Sequence, residues 1–200
     1  MKMDRKQQII NIIKQRGIVN AADIEAAGIS RNYLYMLFRD GLIEKTSRGL
    51  YMLKNSAAPE HSAFIEIAKK TPKAVICLAS ALSYYEITSQ IPHEVWLALP
   101  KGAWKPKISY PPLNITFLSP ETYHYGIEEY EINGNRVKIY SIAKTVADCF
   151  KFRNKIGLDV AIEALKESLG RRKVTVDEVM AAAKVCRVGN IIRPYLETVL

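Results

Sequence analysis

Gly17, Gly28 and Gly41 punctuate the start of the chain at intervals of eleven and thirteen residues, and glycines at that spacing end helices before they reach four turns. The first 54 residues must therefore build their core from short helices packed against one another. Residues 4–16 place Ile9, Ile12 and Ile13 on one helical stripe, with Arg5, Lys6, Lys14 and Arg16 mainly elsewhere. Ile18 and Val19 form an apolar link, and Asn20 is an N-cap for a helix over 21–27 with Asp23 in its first turn. Ser30 caps a third helix, and Ile29, five residues before Leu34, has the spacing of a hydrophobic staple.

The third helix has two chemically distinct sides. Leu34, Leu37 and Phe38 form the apolar one, leaving Arg31, Asn32, Tyr35 and Arg39 on the other. After Gly41, residues 42–45 and 50–53 read as strands around Thr46, Ser47, Arg48 and Gly49. Three helices and a hairpin are the order of a winged helix-turn-helix, whose recognition helix presents its N-terminal part to the major groove. Arg31 can donate two hydrogen bonds to guanine and Asn32 can pair with adenine. Tyr35 suits a thymine methyl or a phosphate, and Arg39 the backbone. In the wing, Thr46, Ser47 and Arg48 suit a phosphate or the adjacent minor groove. The bland alternative is a winged module for protein contacts, with these side chains solvated.

Residues 55–62, "NSAAPEHS", are small and polar and read as the linker between a domain over 1–54 and a second over 63–200. The second reads as α+β: a helix over 62–70, an apolar run over 74–78, a helix over 80–86, strands over 94–100 and 114–118, and a hairpin about Asn133-Gly134. Helices then follow over 141–153, 158–169, 176–185 and 190–199. The Pro-rich segment "KGAWKPKISYPP" reads as an exposed loop, and Lys101, Lys105 and Lys107, interleaved with Trp104 and Tyr110, form a candidate basic surface. Arg171, Arg172 and Lys173 read as a solvated helix end, and Glu128, Glu129 and Glu131 as a solvated strand.

Charge is uneven along this frame. The net charge is +9, and residues 1–54 hold ten Lys and Arg against five Asp and Glu. An anionic partner is expected, double-stranded DNA first. No apolar leader follows the charged N-terminus and no run approaches the roughly 18 apolar residues of a span, so a cytoplasmic protein without a membrane partner is expected. Cys77, Cys149 and Cys186 are scattered in apolar patterns and read as reduced core thiols. The three histidines have no metal-ligand spacing. No phosphate-binding, dinucleotide, nucleophile-elbow or zinc-protease motif is present, so neither a cofactor, a metal nor a catalytic residue is expected. Asp148, without a second acid or base placed by the sequence, reads as a residue that organises local structure.

Three blocks resemble one family: "GISRNYLYMLFRDGLIEKTSRGLYML", "ASALSYYEITSQIPHEVWLALP" and "YSIAKTVADCFKFRNKIGLDVAIEALKESL". In this order they are similar to the AbiEi-type antitoxins of type IV toxin-antitoxin systems, met as abortive-infection modules of phage defence. The resemblance implies an N-terminal domain that binds inverted repeats in its own promoter and represses the operon. It also implies a C-terminal domain that counters a nucleotidyltransferase-type toxin without a stable complex. By the same resemblance Arg31, Asn32, Tyr35, Arg39 and Arg48 match recognition-helix and wing positions. Two alternatives stay open: a stand-alone winged-helix regulator whose second domain senses a ligand or oligomerises, and a nuclease carrying a DNA-targeting domain.

Overall fold

Helix caps written in the sequence set most of the N-terminal boundaries. The structure, a computed structural model, describes residues 4–90 and 92–199, so residues 1–3 of the charged leading segment lie outside the described residues. It is α+β, with N-terminal helices, a wing-like hairpin, a mixed sheet and a helical C-terminal end. The chain divides into two compact units: Met1–Pro72 with Tyr130–Val137, and Lys73–Glu129 with Lys138–Leu200.

The first unit runs α1 (Arg5–Arg16), α2 (Ala21–Ala26), α3 (Arg31–Arg39), β1 (Ile43–Ser47), β2 (Leu50–Leu53) and α4 (Ser62–Lys70). Asp4 caps α1, and Gly17, at φ 68°, ends it. A Cβ at Gly17 would also lie 2.6 Å from Pro59 Cγ, so space as well as backbone conformation demands glycine there. Asn20 and Asp23 form a reciprocal capping box on α2. β1 and β2 pair antiparallel, with a register shift between Lys45 and Ser47. Val19, in the apolar link, exchanges two 2.9 Å hydrogen bonds with Tyr51 and adds a third strand position. Ile9, Ile13, Val19, Ile24, Ile29, Leu34, Leu37, Ile43 and Tyr51 make one buried core.

Asp23 fastens this unit. One carboxylate oxygen accepts from Arg16 (2.9 Å), and the other from Lys69 of α4 (2.6 Å) and the Asn20 amide (2.7 Å). Asn135, 5% exposed, donates to the Arg16 carbonyl (3.0 Å) and to its own turn at Ile132 and Asn133.

The second unit carries β3 (Val75–Ile76), α5 (Leu78–Tyr84), β4 (Val95–Pro100), β5 (Leu113–Leu118) and α6 (Pro120–His124), with the start of β6 (Ile127–Ile132) and the end of β7 (Asn135–Tyr140), whose turn-side residues 130–137 count with the first unit. The helical end is α7 (Ile142–Lys151), α8 (Arg153–Ile156), α9 (Leu158–Gly170), α10 (Val176–Cys186) and α11 (Gly189–Val199). The sheet order is β5-β4-β3-β7-β6. β3 runs antiparallel to β4 and parallel to β7, and β4 parallel to β5. α5 starts two residues earlier than its pattern predicts, directly after a strand of two residues. The short α6, with Pro120 in its first turn, was not expected from periodicity. β6 is an edge strand, and Glu128, Glu129 and Glu131 are all exposed.

α7 is the centre of this unit, with residues 144–150 buried without a break. Lys144 and Asp148, one turn apart on it, are 0% and 1% exposed. The Lys144 ammonium donates to Asp148 Oδ2 and stands 4.3 Å from the centre of the Tyr140 ring. Cys186 Sγ on α10 donates to Asp148 Oδ1 at 3.4 Å. Asp148 thus organises the meeting of α7 and α10. Gly126, at φ 71°, closes over the pair: a Cβ there would lie 2.7 Å from Lys144 Cβ.

Cys77, Cys149 and Cys186 are free, buried thiols. Burial first, and then the Asp148 charge, pushes all three up, Cys186 to about 12. A group raised in the folded state stabilises fully below its unfolded pKa and loses that contribution as pH climbs towards the folded value. Stability is therefore expected to fall from about pH 9 upward, read as a dropping urea midpoint between pH 8 and 10.5. Asp148→Ala leaves an uncompensated buried ammonium and is expected to cost about 3–5 kcal/mol, with the double change Lys144→Met, Asp148→Leu costing less than the single one. Urea unfolding of the three proteins checks this.

Candidate nucleic-acid interface

α3 begins where Ser30 Oγ accepts from the Asn32 amide (3.3 Å). Leu34 and Leu37, both 0% exposed, and Ile29, 4% exposed, pin it to the unit's core, which turns Arg31, Asn32, Tyr35 and Arg39 to solvent. Arg31 Nε lies 3.7 Å from Glu25 Oε1, with both side chains more than half exposed. Such a pair contributes at most about 1 kcal/mol, so a base or phosphate can displace Glu25. Lys6 reaches Asp40 at the end of α3 (2.7 Å), and that hydrogen bond holds the Asp40 carboxyl below its ordinary range.

Phe38, placed by its spacing on the apolar side, is 39% exposed. It meets Tyr51 edge-on at 5.8 Å between ring centres, and Lys45 Nζ covers it at 4.6 Å. The contact belts α3 to the wing rather than to the helical core. Burial, then the nearby Tyr35 phenol, raises the Tyr51 hydroxyl above its ordinary value.

The wing residues divide. Arg48 is exposed at the turn beside Gly49, whose φ is 78°. Ser47 Oγ donates to Glu66 Oε2 on α4 (3.0 Å), and Thr46, unpaired in the register shift, is half buried. Lys45, not picked out by sequence reasoning, is exposed on β1 between Phe38 and the turn. Its signal was the strand alternation, which sets it opposite Tyr51. The structure thus brings Arg31, Asn32, Tyr35 and Arg39 onto one helix surface, sets Arg48 at the hairpin tip, and gives Ser47 a partner elsewhere.

In the second unit Lys101, Lys105 and Lys107 are exposed, as are Trp104 (91%) and Tyr110 (79%). The Arg171–Lys173 cluster is not simply solvated. Arg171 donates to the Glu86 carbonyl (2.8 Å) and Lys173 to the Tyr85 carbonyl, so two of its three cations close the C-terminal end of α5. Among the described residues, no three or more His, Cys, Asp or Glu side chains gather as a metal site. No described helix is long and apolar enough to cross a membrane.

Residues 7–54 match the family described as "Transcriptional regulator, AbiEi antitoxin". This segment is similar to AbiEi-type regulator domains. The match covers α1 to β2, the helices and hairpin just described. No curated protein matches the chain. Among solved structures the chain is similar to the RV2827C protein from Mycobacterium tuberculosis, with a TM-score of 0.56, 9% identity, and 90% of this chain and 71% of that chain covered. At that identity the likeness is one of fold.

The two sides of α3 separate buried packing residues from exposed ones. Leu34→Ala is expected to destabilise the protein by about 2–5 kcal/mol, whereas Tyr35→Ala should stay within about 0.5 kcal/mol of the parent. Thermal unfolding of both variants distinguishes them.

Proposed function

We propose that the AbiEi-type domain binds promoter DNA of its own operon and represses it, and that the second unit opposes a nucleotidyltransferase-type toxin. The observation that carries the DNA reading is the surface of α3: Arg31, Asn32, Tyr35 and Arg39 exposed on a helix held by Leu34 and Leu37. In this reading α3 enters the major groove, Arg31 and Asn32 read bases, and Arg39 and Arg48 meet phosphates. Thr46, half buried, and Ser47, bonded to Glu66, support the wing turn from behind. Operators would be inverted repeats with half-sites about one helical turn, roughly 10 base pairs, or a multiple apart. The antitoxin role draws on the family description, and the protein would act in the cytoplasm as part of phage defence.

The test is binding of the purified protein to its upstream promoter duplex and to a shuffled duplex over a salt series. A preference for the promoter that persists near physiological salt supports site recognition; equal, steeply salt-sensitive binding to both refutes it. Arg31→Ala is expected to cost about 1–3 kcal/mol on the promoter and to relax one base preference, while Arg48→Ala weakens both duplexes evenly and lowers the salt slope by about 1. Co-expression with a neighbouring nucleotidyltransferase gene tests the antitoxin role: growth rescued by the full chain supports it, and no rescue counts against it.

A further inference from the structure

The connection between β4 and β5 is unusual for a parallel pair. Such strands are normally joined through a helix, yet residues 101–112 cross back without one. The two ends are pinned: Lys101 N–H donates to the Leu118 carbonyl and Val95 N–H to the Pro112 carbonyl, both at 2.8 Å. Between them, among the described residues, residues 104–111 make no backbone hydrogen bond to other backbone groups. The segment is therefore an irregular, partly exposed strap that leads into the edge strand β5.

What the strap displays is selective. Trp104 is 91% exposed and Tyr110 79%, whereas Ala103, Pro106 and Ile108 are half buried and Pro111 is buried. The two rings are the most exposed large apolar side chains among the described residues, and a ligand that covers them gains the burial they lack. Lys101, Lys105 and Lys107 stand among them, exposed and without an ion pair among the described residues. No Asp or Glu occurs between Glu94 and Glu121, so no carboxylate of this segment competes for them.

The geometry points to a second nucleic-acid site on this strap, one for a single strand, whose unpaired bases stack on Trp104 and Tyr110 while its phosphates meet Lys101, Lys105 and Lys107. A duplex offers phosphates but hides its base faces inside the stack, so it leaves the rings unused; a single strand satisfies both groups. A bilayer would need a continuous apolar surface to insert, and here the rings are separated by exposed Lys105 and Lys107 and by half-buried Pro106 and Ile108. The strap lies in the second unit, whereas Arg31 and Arg48 belong to the first, so the two readings rest on different residues.

The test uses the full chain and fluorescently labelled oligo(dT) and oligo(U) of about 15 nucleotides, read by anisotropy. Trp104 is one of two tryptophans, and the other, Trp96, is half buried, so unlabelled strand should also quench the intrinsic emission. Trp104→Ala is expected to weaken binding by about tenfold or more, and Trp104→Phe to keep most of it. Replacing all three lysines by Gln should lower the slope of log affinity against log salt by about 2. Arg31→Ala should leave single-strand binding unchanged even where it impairs promoter binding. The inference is overturned if neither oligomer binds, if Trp104→Ala and the triple lysine variant bind like the parent, or if phosphatidylglycerol vesicles quench Trp104 and the oligomers do not.

Discussion

A helix of nine residues does not persist in water on its own, because nucleation costs more than two turns of hydrogen bonds return. α3 exists because Leu34 and Leu37 are wholly buried, each contributing roughly 1.5–3 kcal/mol by leaving water. The same burial sets the helix's rotation about its axis, and that rotation decides which side chains face outward. The outward surface of Arg31, Asn32, Tyr35 and Arg39 therefore exists only as a consequence of the core. Asp23 reinforces the arrangement, because its carboxylate ties the end of α1, the start of α2 and α4 together.

The second unit is organised around a different constraint. α7 is buried on all sides, yet it carries Lys144 and Asp148. Two charges in such a place are tolerated only as a pair with their remaining hydrogen-bonding capacity met. The Tyr140 ring, Cys186 and the glycine at 126 are arranged around that requirement. Around this core the sheet keeps a short central strand and places its polar hairpin at one edge and its basic, aromatic strap beside the other.

Local signals were legible because they act within a few residues. Asn20 and Ser30 cap the helices that follow them, and Asn133-Gly134 turns the β6–β7 hairpin. Signals that depend on distant neighbours were not. Lys144 in "IAKTVADCF" has the look of a surface residue, and it is enclosed only because α7 packs among α5, α9 and α10, with Gly126 and the Tyr140 ring against the side chain. Phe38 sits at an apolar helical position, yet its partners are Tyr51 and Lys45 of the wing. Ser47 has a turn residue's chemistry, but Glu66, nineteen positions away, takes its hydroxyl.

By itself the sequence determined the α+β class, the order of three helices and a hairpin, most helix starts and the two-sided character of α3. Those properties follow from caps, glycines and the 3.6-residue period, each of which is local. The tertiary structure alone decided the strand order, the enclosure of Lys144 with Asp148, the hydroxyl that leaves the wing surface, and the parallel pairing of the two strands that the exposed loop joins. Those outcomes depend on which surfaces meet after the chain has folded back, and pairing and burial between distant residues leave no periodic trace in a single sequence.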